Sequence, residues 1–327
     1  AHSMLFRPRM LRSRPAVLIA SLALISGCAA RPGPTPAAST DIQLAPAPRS
    51  PEAQAKGEAG TSGVVLVWGS AGDGPPRTWH VGEGGAVIRE EPGIAVATRR
   101  GVWRWETRAK EVETEACELW DGDMREPGEG TATDAELVLR EGDERQAVIT
   151  SPERDEGNVF QHSAVLIGSV GAYLFIEERT YSDHCGAHGS EGAAFTVWDA
   201  ERGGAVDLLA EVAGVPPLQR AAEAMLEALE EDPEAAWREG EPMQLVKLAP
   251  AYDARGSLRL TAQFVRSACY ACSDGAWSSY SRSSMVPLPR SPARLAAWTA
   301  SPPAVQAFLA QTPGVKLGGW SRAGQDE

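Results

Sequence analysis

The strongest constraint on how this chain folds is a change in composition near residue 63. From Ala29 to Gly63 there is no aromatic residue, and positions 32, 34, 36, 46, 48 and 51 are proline. All ten tryptophans lie beyond this segment, between Trp68 and Trp320. A proline- and alanine-rich stretch of this kind buries too little apolar surface to fold. The sequence therefore predicts a semi-extended tether over residues 28–63 and a folded domain over residues 64–327.

The first 27 residues have the organisation of an export signal. Residues 1–3 precede Met4 and are treated as a cloning remnant. A basic region with arginine at positions 7, 9, 12 and 14 is followed by the apolar stretch Ala16–Ile25. That stretch is too short to cross a bilayer, which takes about 20 residues. We therefore predict that residues 1–27 are a signal peptide.

The signal ends in Leu24-Ile25-Ser26-Gly27-Cys28, which resembles the lipobox of bacterial lipoproteins. This resemblance implies cleavage before Cys28 and acylation of its thiol and amine, for example with palmitate. Ala29 at the next position fits sorting to the outer membrane, on its periplasmic or surface face. The alternative is an ordinary secretory signal in which Cys28 is incidental.

Charge narrows the class of partner. The chain has 31 Lys and Arg against 44 Asp and Glu, a net charge of −13. Removal of the signal would leave 27 basic and 44 acidic residues, a net charge of −17. Nucleic acid is excluded as the main partner because phosphate binding needs clustered cations. An anionic lipid surface would repel the domain, so the lipid on Cys28 would have to hold it at the membrane.

Short apolar runs predict a strand-rich body. Leu258–Val265 alternates apolar and polar residues, as a half-buried strand does. Other runs rich in β-branched or aromatic residues are also predicted as strands. They are Val64–Trp68, Ile94–Thr98, Val102–Thr107, Glu136–Arg140, Ala147–Thr150, Ala164–Ile167, Ala172–Tyr181, Phe195–Asp199 and Ala205–Leu209. We place a turn over Gly168–Gly171.

One amphipathic helix is predicted from Pro217 to Glu231, where Pro233 would end it. Its apolar stripe follows helical spacing, with Leu218, Ala221, Ala222, Met225, Leu226 and Leu229. A second short helix is predicted over Ala304–Ala310. These elements favour an α+β fold, mainly antiparallel strands with one helix packed on the sheet. A β-propeller-like fold is the alternative, because Gly84–Trp105 has the pattern of one propeller blade.

A histidine-containing turn follows the predicted strand Ala172–Tyr181. Gly186-Ala187-His188-Gly189 is followed by Phe195, Asp199, Gly203 and Asp207-Leu208-Leu209. Over residues 130–300 this pattern resembles the extracytoplasmic domain of the lysozyme-binding anti-sigma factor. Cys185 stands where that family usually has its first glycine, and Tyr181 comes two residues early. The resemblance implies a small α+β binding module outside the cytoplasm. Independently of the resemblance, the glycines permit the positive φ angles of a tight turn, so we expect His188 to stabilise the turn by a hydrogen bond rather than to act as a catalyst.

Four cysteines remain after Cys28, and an even number in an exported protein indicates disulfides, with three possible pairings. Our preferred pairing is Cys117 with Cys185 and Cys269 with Cys272. The alternative is a metal site, in which His184 and His188 would join three of the cysteines. The proposed sulfur ligands are Cys185, Cys269 and Cys272.

The sequence contains no Gly-x-Ser-x-Gly, Ser-x-x-Lys, His-Glu-x-x-His or phosphate-loop motif. We therefore expect no catalytic residue and no cofactor, and we expect a non-enzymatic module for an envelope protein or a glycan. The candidate binding loops are His184–Gly189 and Tyr270–Tyr280. Their candidate contact residues are His184, His188, Tyr270, Trp277 and Tyr280. Two alternatives stay open: a metal- or thiol-dependent envelope enzyme that uses the histidine and cysteine cluster, and a structural lipoprotein without a specific ligand.

Overall fold

The domain that follows the predicted tether is built mainly from antiparallel strands. A computed structural model describes residues 63–119, 121–186, 188–212, 214–229 and 242–322. These residues belong to one unit, Glu58–Glu327. The predicted signal peptide, the lipidation site Cys28 and the tether up to residue 62 lie outside the described residues.

The described residues form seventeen strands. In chain order they are β1 (Val65–Ala71), β2 (Arg77–Val81), β3 (Val87–Pro92), β4 (Ile94–Thr98), β5 (Gly101–Glu111), β6 (Cys117–Glu118), β7 (Met124–Arg125), β8 (Gly130–Leu139), β9 (Arg145–Ile149), β10 (Val159–Val170), β11 (Tyr173–Asp183), β12 (Ser190–Asp199), β13 (Gly204–Val206), β14 (Gln244–Tyr252), β15 (Leu258–Ser267), β16 (Ser281–Pro287) and β17 (Val315–Arg322). The α-helices are α1 (Val215–Leu229) and α2 (Pro303–Gln311). Among the described residues, 3-10 helices span Glu83–Gly85, Tyr270–Cys272 and Ala293–Trp298.

Among the described residues the strands form three main sheets. A four-stranded sheet has the order β17-β1-β2-β3, and a three-stranded sheet has the order β14-β15-β16. The largest sheet has eight strands in the order β13-β12-β11-β10-β8-β5-β4, with β9 paired to β8. Its only parallel pairing within the described ranges joins β8 and β10 at Gly130↔Phe160. The fold is therefore a set of mainly antiparallel sheets with few helices, and the α+β expectation is confirmed at this coarser level.

The core lies on both faces of the eight-stranded sheet, because alternate residues of its central strands point to opposite sides. On one face Ile176 packs in a cluster with Trp103 and Leu137. On the other face Phe175 packs with Leu226 of α1 and Phe264 of β15. All of these side chains are at most 2% exposed. Burial on both faces explains the continuous buried run at the start of β11.

The two predicted helices are present, with one correction to the first. Helix α1 begins at Val215, two residues before Pro217, and its predicted end at Glu231 lies outside the described residues. Leu218, Ala222 and Leu226 are buried, but Met225 is 46% exposed and Ala221 is exposed as well. The predicted six-residue stripe is therefore too wide, because α1 contacts one sheet along a single row spaced by four residues. Helix α2 confirms the prediction over Ala304–Ala310.

The predicted propeller blade over Gly84–Trp105 is wrong, because the structure divides this segment between two sheets. Strand β3 pairs with β2 in the four-stranded sheet, whereas β4 and β5 pair in the eight-stranded sheet. The change of sheet occurs at Gly93, whose carbonyl accepts a hydrogen bond from Thr78 Oγ1 at 2.8 Å. This bond fixes the chain where it leaves the first sheet.

Two smaller predictions also need correction. Strand β10 continues through a bulge near Gly168 to Val170, so the turn before β11 is shorter than predicted. Gly171 makes that turn with a φ of +57°, and a Cβ at this position would overlap the ring of Trp298. The predicted strand Ala205–Leu209 is shorter as well, because β13 ends at Val206.

A carboxylate anchors the end of β9 to β8. Asp134 Oδ1 accepts hydrogen bonds from the Ser151 backbone N–H at 2.9 Å and from Ser151 Oγ at 2.6 Å, and Lys110 Nζ lies 3.4 Å away. Burial alone would raise the pKa of Asp134, but the hydrogen bonds from Ser151 and the Lys110 charge outweigh it. Together they lower the pKa of Asp134 to about 2.

Candidate binding surface

The two predicted binding loops meet at one end of the eight-stranded sheet. The first is the turn between β11 and β12, and the second is the loop between β15 and β16. Ser279 Oγ accepts a hydrogen bond from the Glu191 backbone N–H at 2.7 Å, and the Ser279 backbone N–H donates to the Glu191 carbonyl at 3.1 Å. These bonds hold the second loop against the start of β12. Ala187, within the first loop, lies outside the described residues.

Each loop region contains disulfide-bonded cysteine, in the preferred pairing. Cys117 and Cys185 are bonded with Cα atoms 5.9 Å apart, which ties β6 to the first loop. Cys269 and Cys272 are bonded with Cα atoms 5.0 Å apart across a single 3-10 turn. Cys185 is buried and has a φ of +57°. None of these four sulfurs is a thiolate in the structure, so the proposed metal site has lost its sulfur ligands to disulfides.

Three of the five candidate contact residues form an aromatic cluster. The rings of His188 and Tyr270 are stacked, with centroids 3.5 Å apart and planes 14° apart. The Tyr280 ring lies 5.9 Å from Tyr270 and 6.0 Å from His188 in tilted arrangements. Tyr270 is 46% exposed and Tyr280 is 48% exposed. We call His188, Tyr270 and Tyr280 the aromatic surface.

The other two candidate residues stand apart from this cluster. His184 is exposed, and its Nε2 lies 3.0 Å from Ser182 Oγ. Trp277 is half-buried, and no ring contact joins it to the aromatic surface, whose residues are all described. The structure therefore brings together three of the five residues and separates His184 and Trp277 from them.

A groove lies on the face of β10, β11 and β12 that continues from the Ile176 side of the core. Its volume is about 530 Å³, and no lysine or arginine lines it within the described residues. His162 is 8% exposed, and its Nε2 lies 3.2 Å from Glu178 Oε2. Ser182 Oγ donates a hydrogen bond to Asp155 Oδ1 at 2.7 Å. Sequence analysis missed this groove because its residues come from three strands and a connection, without a local motif.

A buried ion cluster joins β11 to β14. The Glu177 carboxylate pairs with Lys247 and with Arg179 Nε, the latter at 2.7 Å. Burial alone would raise the pKa of Glu177, but hydrogen bonds from Lys247 and Arg179 outweigh it and lower that pKa. Glu177 is therefore ionised at neutral pH and acts as a structural tie between the two sheets.

Within the described residues no helix is both long and apolar enough to cross a membrane, and no group of three or more potential metal-ligating side chains occurs. No family model, no curated protein and no solved structure matches this chain.

Proposed function

We propose that the protein is a lipid-anchored cell-envelope protein whose folded domain is a non-enzymatic binding module. Its binding surface is the aromatic surface of His188, Tyr270 and Tyr280. The observation that carries this proposal is the mutual packing of three exposed rings on two loops that each contain disulfide-bonded cysteine. The partner is an envelope protein or a glycan.

Exposed tyrosines of this kind are suited to binding. A tyrosine offers a large apolar ring and a polar hydroxyl, and few of its torsions must be fixed on contact. Tyr270 and Tyr280 are each nearly half exposed although they already contact a neighbouring ring. Residues of this type dominate the free energy of many protein interfaces. The aromatic surface therefore offers a compact anchor for a partner.

The surroundings of the aromatic surface favour a rigid site. Tyr270 lies between the bonded Cys269 and Cys272, and His188 lies three residues after the bonded Cys185. Ser279 makes two hydrogen bonds to the backbone of Glu191, one through its hydroxyl oxygen and one through its backbone N–H. These bonds fix the loop that carries Tyr280. A surface ordered before binding loses less conformational entropy when the partner arrives.

The alternative of a metal- or thiol-dependent enzyme finds less support in the geometry. It needs thiolates at Cys185, Cys269 and Cys272, and each of these sulfurs is in a disulfide. A disulfide sulfur is neither the nucleophile nor the metal ligand that such an enzyme requires. Binding through the aromatic surface needs no reduction, so it is the proposal that we develop.

The anchor can be tested apart from the binding surface. We expect the wild-type protein to incorporate labelled palmitate and to sediment with membranes. The Cys28→Ala variant should be unlabelled, and it should leave the membrane fraction because the domain is strongly acidic. Membrane association of Cys28→Ala equal to that of the wild type would contradict the lipid anchor.

The binding surface is tested by capture from an envelope extract with the full-length protein. We expect the double variant Tyr270→Ala/Tyr280→Ala to capture at least tenfold less partner than the wild type, because it removes two of the three rings. Met225→Ala is the matched control, since Met225 is 46% exposed, as Tyr270 is, and lies on α1. Equal capture by both variants would contradict the proposed placement.

A further inference from the structure

A small cavity lies at the end of β11 and β12 that is opposite the aromatic surface. The cavity is formed by the end of β4, the start of β11, the turn after β12 and the last residue of β17. Tyr173 and Asp183 mark the two ends of β11, which are about 30 Å apart at about 3.3 Å per residue. The cavity is therefore a site distinct from the aromatic surface.

Charged side chains surround this cavity, and most of them are already paired. Arg99 Nε lies 2.9 Å from Glu201 Oε1. Asp199 Oδ1 accepts hydrogen bonds from the backbone N–H groups of Glu201 and Arg202 at 2.9 and 3.1 Å, and Arg202 Nε lies 3.7 Å from Asp199 Oδ2. The Asp199 carboxylate therefore already has partners in the turn and in Arg202, and the Glu201 carboxylate is paired with Arg99.

Arg322 is the exception. Its guanidinium lies over the Trp320 ring, 5.2 Å from the centroid. Its Nε is buried without a hydrogen-bond partner, and no carboxylate of the described residues forms an ion pair with it. Burial lowers the pKa of Arg322, which is the effect of removing a cation from water without supplying an anion. A partly buried cation in this state destabilises the domain unless something neutralises it.

We infer that this cavity binds an oxyanion, a carboxylate or phosphate group of a small polar ligand, with Arg322 as its principal contact. A guanidinium has paired N–H donors that match two oxygens of such a group. The cavity volume is about 70 Å³, and a water molecule takes about 30 Å³ in the liquid. There is room for a group of a few non-hydrogen atoms. Arg99 and Arg202 offset the negative charges of Glu201 and Asp199, so that Arg322 leaves the charged residues of the lining with a net positive charge.

Tryptophan fluorescence provides the assay, because Trp298 lines the cavity and Trp320 contacts Arg322. The full-length protein is titrated with inorganic phosphate and separately with acetate, against chloride at equal ionic strength. We expect a saturable change with at least one of the two oxyanions and none with chloride. The oxyanion that binds more tightly identifies the ligand group as phosphate or carboxylate.

Substitutions then test the residue assignment. Arg322→Gln should weaken binding at least tenfold, and its unfolding midpoint without ligand should be equal to or higher than that of the wild type. Arg202→Gln, at a side chain that is 67% exposed, should weaken binding severalfold without affecting folding. The control Arg259→Gln replaces an arginine that is 75% exposed, on β15, and should bind as the wild type does. Absence of saturable binding, or equal affinity of Arg322→Gln and Arg259→Gln, would overturn the inference.

Discussion

The two disulfides should differ in their effect on stability, because they close loops of different length. A crosslink stabilises a fold largely by restricting the unfolded chain, and the effect grows with the logarithm of the closed loop. Cys117 and Cys185 are 68 positions apart, which corresponds to about 4 kcal/mol of unfolding free energy. Cys269 and Cys272 are three positions apart, which corresponds to about 2 kcal/mol. We therefore expect Cys117→Ala/Cys185→Ala to cost about twice as much as Cys269→Ala/Cys272→Ala.

Urea unfolding followed by tryptophan fluorescence measures this difference. Extrapolated free energies must be compared rather than midpoints, because removing a crosslink expands the unfolded state and changes the slope. Alanine is chosen because a serine at the buried Cys185 position would add a polar group. An equal or greater loss from Cys269→Ala/Cys272→Ala would refute the loop-length reasoning.

Three further predictions concern stability and use matched or single variants, all followed by urea unfolding. Gly171 and Gly72 have nearly the same φ, +57° and +58°, but a Cβ would meet the Trp298 ring at Gly171 and no atom at Gly72. Gly171→Ala should therefore lower the free energy of unfolding by about 1–3 kcal/mol more than Gly72→Ala does. Equal losses from the two variants would contradict the close approach of Trp298. On α1, Leu226→Ala should lower the free energy of unfolding by about 2–5 kcal/mol because Leu226 is buried, and Met225→Ala should lower it by under about 0.5 kcal/mol. A larger loss from Met225→Ala than from Leu226→Ala would contradict the orientation of α1 on the sheet. The pKa of Asp134 is lowered to about 2 in the folded state, so its stabilising contribution should be present above its unfolded pKa of about 4 and should be lost as the pH falls toward 2. Asp134→Asn should therefore lose less stability than the wild type between these pH values. A pH profile of Asp134→Asn equal to that of the wild type would contradict the lowered pKa.

The strands and helices were predictable where the local pattern is strong. Ile94–Thr98 is a strand with the predicted bounds, because its apolar run and the flanking turns define it without tertiary information. Helix α2 was predictable for the same reason. The division of Gly84–Trp105 between two sheets was not, because a run of paired strands does not state which sheet each strand joins.

The candidate site was predictable in its residue types but not in its geometry. His188, Tyr270 and Tyr280 could be named as contact residues because they lie on glycine- and cysteine-containing loops. Their stacking could not be derived, since no local pattern relates residues that lie more than 80 positions apart. Four cysteines allow three disulfide pairings, and sequence analysis favoured the one in the structure without a geometric reason that excludes the other two. Arg322 could not be predicted as a contact residue, because the sequence does not show which cations lack an ion-pair partner in the folded domain.

The most direct test of the central proposal is site-specific photocrosslinking in living cells. A photoreactive phenylalanine analogue replaces Tyr270 in one variant of the full-length protein and Met225 in another, since both positions are 46% exposed. We predict a discrete crosslinked product from position 270 that is absent from position 225, because only position 270 lies on the aromatic surface. The same product from both positions, or no product from position 270 while position 225 yields one, would contradict the account.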